Sequence, residues 1–186
     1  MSRKTEIRDY VAKTIGRLSY LNAAGCASGD FAALRDGAGK TPNESTKAML
    51  LALKDIPEEF MDTDGVPTKE QWAIFTAITL FALHQQGHSK SVHRFGQTMG
   101  KAFRKMYRDR TATKADEAFS VKLCALSRTR NIKLFATKLK SIINWMSETV
   151  PSIDYAALAV DIYEWQIPKA RNNVFMRWAT DFNRSK

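Results

Sequence analysis

Cysteine is nearly absent from this chain. Cys26 and Cys124 are the only two in 186 residues, far apart and without a CxxC neighbour, so neither a disulfide framework nor a cysteine zinc site is indicated. Both read as packed, reduced thiols behaving as small hydrophobes. Long apolar runs are missing as well: no segment approaches 18 apolar residues without charge, and Met1 is followed by Ser2, Arg3, Lys4 and Glu6. A membrane span and a secretory leader are therefore not expected, and the expected localisation is cytoplasmic. Acidic residues are the other shortage. Nineteen Asp and Glu face 29 Lys and Arg, for a net charge of +10 and a pI near 9.7, which favours an anionic partner such as nucleic acid or a membrane surface.

What is present is an evenly distributed apolar content of 44%, enough to exclude wholesale disorder. The length suits one domain spanning residues 1–186 or two small helical lobes, 1–87 and 88–186, and a second enzymatic domain is not expected. The periodicity predicts an all-α bundle of about eight helices with no convincing strand. Ile7, Val11, Leu18 and Leu21, with Tyr10 beside them, form the stripe of a first helix broken by 22–29. Short helical pieces follow at 30–35, closed by Gly37, and from Pro42 to about residue 54. Pro57, Asp64, Gly65 and Pro67 make the clearest loop. Thr68 and Gln71 then form a capping box ahead of Trp72, Phe75, Ile78, Phe81 and Leu83, with Gly87 as the stop. Apolar residues lie almost all round that helix, so it is expected to be the central one. Further helices are predicted at 95–108, 113–127, 129–148, 152–165 and 168–182.

The charge is not spread evenly. Residues 88–140 hold 14 Lys and Arg against Asp109, Asp116 and Glu117, a net of +11, while the remaining 133 residues sum to −1. Such concentration is the footprint of a binding face, since charge carried for solubility would be dispersed. Lys101, Arg104, Lys105 and Arg108 fall at i, i+3, i+4 and i+7, one stripe of a helix, with Phe95, Met99, Ala102, Phe103 and Met106 opposite. The helix over 129–148 repeats the design, with Ile132, Phe135, Leu139, Ile142, Ile143 and Met146 inward and Arg130, Lys133 and Lys140 outward; Lys138 lies to one side. Arg128 and Arg130 sit at its start, where the helix dipole adds to the attraction for phosphate. An ordinary solvated face interleaves acids with bases at i and i+4, and neither stripe contains a carboxylate. Two such faces are expected to form one groove for a polyanion. Few aromatics interleave, Tyr107 being the only candidate and assigned to packing, so backbone contact is expected rather than base stacking. Binding should then fall with salt and depend little on sequence.

Several fragments mimic chemical motifs. Gly37 to Thr41 resembles the end of a phosphate loop, but the first glycine would fall at Leu34 and no strand precedes it. His84 and His88 have i, i+4 spacing with His93 close behind, yet Gly87 intervenes and no fourth metal ligand appears. Asp62 to Gly65 resembles part of a calcium loop without its later ligands and is read as a turn. Gly96 and Gly100 read as allowing close helix packing. No nucleophile elbow, Cys/His dyad or carboxylate pair points to catalysis, and no cofactor is expected.

Over most of its length the chain resembles the small subunit of the type I-E CRISPR effector complex Cascade, the CasB family. The resemblance is carried by Phe31-Ala32-Ala33-Leu34-Arg35, by Phe95 to Phe103, by the pattern from Leu123 to Leu139, and by Ile153-Asp154-Tyr155 through Arg177 to Phe182. It implies a non-catalytic helical protein, present as two copies, lying beside the guide RNA and contacting the large subunit and the repeated backbone subunits. The implied work is to steady the guide RNA–target DNA hybrid and the displaced strand in antiviral defence, with base pairing supplying specificity. By this likeness Arg35 joins Arg94, Lys101, Arg104, Lys105, Arg108, Arg110, Arg128, Arg130, Lys133 and Lys140 as expected nucleic-acid contacts. Arg35 reads equally well as a cation closing an internal ion pair. The alternative is a free-standing helical DNA-binding regulator, which would need Asn, Gln and Arg poised for base edges where this stripe is almost all Lys and Arg. A nucleic-acid enzyme lacks visible metal carboxylates or a nucleophile.

Overall fold

Side chains that accept main-chain hydrogens decide where the helices start. In the computed structural model, which describes residues 2–61, 64–107, 112–147 and 152–184 (side chains of 107, 112–116 and 119 excepted), Ser2 caps α1 (Arg3–Ala23) by accepting from the Thr5 N–H. α2 (Ser28–Gly37) is followed by a 3-10 turn at Pro42–Glu44 and by α3 (Thr46–Ala52). The expected single helix from Pro42 is split there because Thr41 and Glu44 close a capping box on the short turn and Ser45 leaves helical dihedrals. After a second 3-10 turn at Glu58–Phe60 comes α4 (Lys69–His84), opened by the Thr68/Gln71 box as predicted, with Gly87 at φ +80° just past its end. α5 (Met99–Tyr107), α6 (Ala112–Ser127), α7 (Ile132–Met146), α8 (Tyr155–Trp165) and α9 (Arg171–Arg184) complete the order. Asn131 caps α7 and Asp154 caps α8, so each starts three residues later than predicted. α9 begins after a turn at 168–170 rather than at Pro168. Among the described residues there is no strand, only an isolated parallel bridge between His93 and Ile153.

α4 is the axis. Every residue from Gln71 to Ala82 is buried, and α1, α2, α3, α7 and α8 pack around it. Full burial of each large apolar side chain contributes about 1.5–3 kcal/mol relative to exposure, which is why this all-round apolar helix is driven to the centre. Phe135 of α7 stacks on Trp165 of α8 with centroids 4.0 Å apart, and Phe81 meets Tyr155 edge-on at 5.7 Å. Beyond this core, α9 packs on α5 and α8, and α6 touches α5, α7 and α9.

Two expectations are corrected. Cys26 and Cys124 are exposed, not packed: Cys26 follows Gly25, whose positive φ turns the chain outward between α1 and α2, and Cys124 lies on the side of α6 opposite buried Leu126. Phe95 is not on the inner face of a helix. Gly96 adopts φ +75°, so residues 95–98 form a loop and leave Phe95 76% exposed.

Candidate nucleic-acid interface

α5 divides as its spacing predicts. Met99, Ala102, Phe103 and Met106 are buried while Lys101 and Lys105 face solvent. Its inner side lies so close to α9 that a Cβ on Gly100 would collide with the Trp178 carbonyl and come within 2.8 Å of Asp181 Cβ; Gly100 therefore serves close packing, whereas Gly96 serves a positive φ. Arg104 is half-buried and leans on α9, its guanidinium 5.5 Å from the centre of the Phe182 ring. Lys101 Nζ donates to the Gly96 carbonyl at 2.9 Å. Arg94 is exposed in the preceding loop. Arg108 and Arg110 lie outside the described residues, as does the side chain of Tyr107.

The cations of α7 behave differently. Its face carrying Lys133, Thr137 and Lys140 lies along the loop between α2 and α3: Lys133 Nζ pairs with Glu44 at 2.5 Å, the Thr137 hydroxyl donates to the Gly39 carbonyl at 3.2 Å, and the Lys140 stem passes beside Gly39. The pair with Lys133, aided by the Thr41 N–H, holds the Glu44 carboxyl below its usual range. So the stripe free of carboxylates in sequence acquires one from elsewhere in the fold. Lys138 Nζ donates to the Ala125 carbonyl and the Thr129 hydroxyl at 2.7 and 2.8 Å, and the Arg130 guanidinium donates to the Ser127 and Thr129 carbonyls. Both cations thus satisfy the open carbonyl end of α6. Arg128 and Arg130 remain exposed.

α5 and α7 do not turn their apolar sides toward each other. α5 packs against α9 and α7 against α4, with α6 touching both. Phe135, Leu139 and Ile142 of α7 are buried in the core that α7 shares with α4, and Phe103 is buried on α5, which packs on α9.

On the other side of α9 the cations are matched. In a cleft of about 370 Å³ between α1, α8 and α9, Arg177 donates to Asp161 at 2.6 Å and to Glu164, Lys4 also pairs with Glu164, and Trp178 Nε1 donates to Asp161 at 2.6 Å. Burial raises the Asp161 carboxyl above its ordinary value against the pull of Arg177 and Trp178. Burial also opposes ionisation of Glu164, but Lys4 and Arg177 hold it below the usual range. A buried, fully paired cluster of this kind is structural.

Arg35 is half-buried beside Phe31, Gln85, Gln86 and His88, and among the described residues it makes no salt bridge. The phosphate-loop-like fragment and the histidines are absorbed into the fold, while Asp62 and Thr63 of the calcium-loop-like fragment lie outside the described residues. Lys40 pairs with Asp36 at 2.9 Å and Thr41 caps the 3-10 turn. His84 Nδ1 lies 2.8 Å from the Tyr155 hydroxyl, His88 Nε2 3.2 Å from the Ser147 carbonyl, and His93 Nδ1 accepts from the Tyr155 N–H at 3.1 Å. No group of three metal-ligating side chains occurs among the described residues, nor any helix long and apolar enough to cross a membrane.

Two cations outside the predicted set lie beside it. Arg171 at the start of α9 is close enough to Arg130 for their charges to interact, and it lies 4.7 Å over the Trp165 ring. Arg8 of α1 lies 4.6 Å over the Phe95 ring, and its charge reaches Asp154 Oδ2 at 3.5 Å. No periodicity within one helix could have announced these, because they are brought in from elements 41 and 87 residues away in sequence.

The family described as CRISPR-associated protein Cse2 matches residues 30–182. Among solved structures, the crystal structure of CasB from Thermobifida fusca is similar, with a TM-score of 0.77 at 22% identity, over 95% of this chain and 97% of that one. No curated protein matches.

Proposed function

From the premise that the chain belongs to the CRISPR-associated Cse2 (CasB) family, whose members are subunits of Cascade, we propose that it acts as the non-catalytic small subunit, gripping the backbones of the guide RNA–target DNA hybrid and the displaced strand. The observation that carries the reading is the set of cations left without carboxylates. Among the described residues, Arg94, Lys101, Lys105, Arg128, Arg130 and Lys140 make no salt bridge, and all but half-buried Lys140 are exposed. Repulsion among like charges on one helix costs a few tenths of a kcal/mol per pair, and a polyanion removes that cost while releasing its own counterions. Side chains of Lys and Arg presented this way bind phosphate without reading bases, and base pairing with the guide supplies sequence. Arg35, Arg104 and Arg171 extend the proposed surface. Lys133 contributes only if Glu44 gives it up.

Reconstitution tests this reading. The protein is mixed with the large subunit, the repeated backbone subunits and a guide RNA, and native mass is used to count copies. Two copies per assembly are expected, contacting both kinds of subunit in cross-linking. A chain that stays outside the assembly contradicts the proposal, and sequence-selective binding to duplex DNA by the isolated chain would favour a free-standing regulator instead.

A further inference from the structure

We propose that Phe95 is a stacking platform for an unpaired base of a single-stranded nucleic acid, with Arg94 and Lys101 placed for the phosphates on either side; this rests on the basic surface binding nucleic acid at all. Isolated exposed apolar side chains are common and need no explanation. Phe95 differs in how it is held. The Arg94 N–H donates to the Ile153 carbonyl at 3.1 Å, the Ile153 N–H to Val92 at 2.8 Å and the Asp154 N–H to Gln97 at 2.7 Å, so the loop is laced to the segment ahead of α8 on both sides of the ring. The Asp154 carboxylate accepts the Gly96 N–H at 2.7 Å while capping α8 through the Ala157 N–H at 2.9 Å. That carboxylate also draws Arg8, whose guanidinium lies 4.6 Å from the ring centre.

The result is an aromatic face fixed by a pinned backbone, backed by a guanidinium on one side and 76% open to solvent. A cation behind an aromatic ring and cations beside it repel a basic or electron-poor partner and favour a π-surface carried on a polyanion. Tyr20 is comparably exposed, but among the described residues no cation lies over its ring. Stacking is indifferent to base identity, so the platform is compatible with a subunit that leaves sequence to the guide.

The test compares the full chain with Phe95→Ala and Phe95→Tyr in binding three probes at fixed salt: an oligo(dT) strand, the same strand carrying abasic sites, and a blunt duplex. Phe95→Ala should weaken oligo(dT) by roughly tenfold, from the usual loss of one stacked base, leave the duplex and the abasic strand unchanged, and leave the salt slope unaltered because no charge is removed. Phe95→Tyr should restore the affinity. Equal loss on all three probes overturns the platform, as does no loss on any of them while Lys101→Glu with Lys105→Glu abolishes binding; in the latter case the basic surface stands. Unchanged oligo(dT) affinity combined with failed entry into the multisubunit assembly would assign Phe95 to a protein contact and also overturn it. If the unaltered chain binds none of the probes, the nucleic-acid reading itself falls.

Discussion

The cations beside α8 and those on α5 are the same residue types in opposite situations. Arg177 and Lys4 are spent on Asp161 and Glu164, carboxylates that the fold has buried. Lys101 and Lys105 face water and, among the described residues, make no salt bridge. The difference shows that net charge alone says little about binding. A buried carboxylate must have its counter-ion whatever the protein does, so only the cations left over after that demand is met are available to a partner.

The largest expected effect separates the two regions through stability. Arg177→Ala leaves Glu164 with Lys4 as its cation and leaves Asp161 with the Trp178 indole N–H as its donor and no cation among the described residues. It should destabilise the fold by about 2–3 kcal/mol, allowing for partial exposure of the guanidinium. Thermal melting checks this, and nucleic-acid affinity of the folded fraction should stay within about twofold. The reverse pattern is expected for Lys101→Glu with Lys105→Glu: melting hardly changes, because both side chains are exposed, while affinity drops on the order of 10- to 100-fold for every sequence alike. If that double variant melts early instead, the contrast between the regions is broken.

A smaller effect is set by pH. Burial pushes the His93 imidazole below its ordinary value, against the opposing charge of Asp154 and with the Arg8 charge adding to the shift. A base with a depressed folded value binds fewer protons folded than unfolded. Its contribution is therefore present above the unfolded value near 6.5 and is lost as pH falls through the folded one. Protonation would also turn Nδ1 from acceptor to donor against the Tyr155 N–H. Melting temperature should decline between pH 7.5 and 5, and His93→Gln should flatten that part of the decline. The smallest effect is expected for Glu44→Gln, which releases Lys133. Affinity for nucleic acid should rise about twofold with one more counterion displaced, and melting should barely move.

The sequence made the fold legible wherever a helix carried its own signal. The Thr68/Gln71 box, the all-round apolar residues of α4 and the split faces of α5 each depend on neighbours within two turns. What it hid were features that need distant partners. Glu44 reaches Lys133 across 89 residues, and nothing in the spacing of α7 reports that. Phe95 fitted an apolar helical stripe, but Gly96 and the clamp to 153–154 overrode the period and turned the ring outward. Arg130 and Lys138 looked free because the carbonyls of α6 that they satisfy have no signature in side-chain chemistry.

The central claim is that uncompensated cations, not a base-reading surface, hold the nucleic acid. It is tested most directly by measuring affinity of the unaltered protein against salt concentration for two oligonucleotides of unrelated sequence. Two steep, parallel lines of log affinity against log salt are expected, each falling by about 0.7–0.9 per phosphate contacted. A flat line, or two sequences with widely separated affinities at every salt concentration, would contradict it.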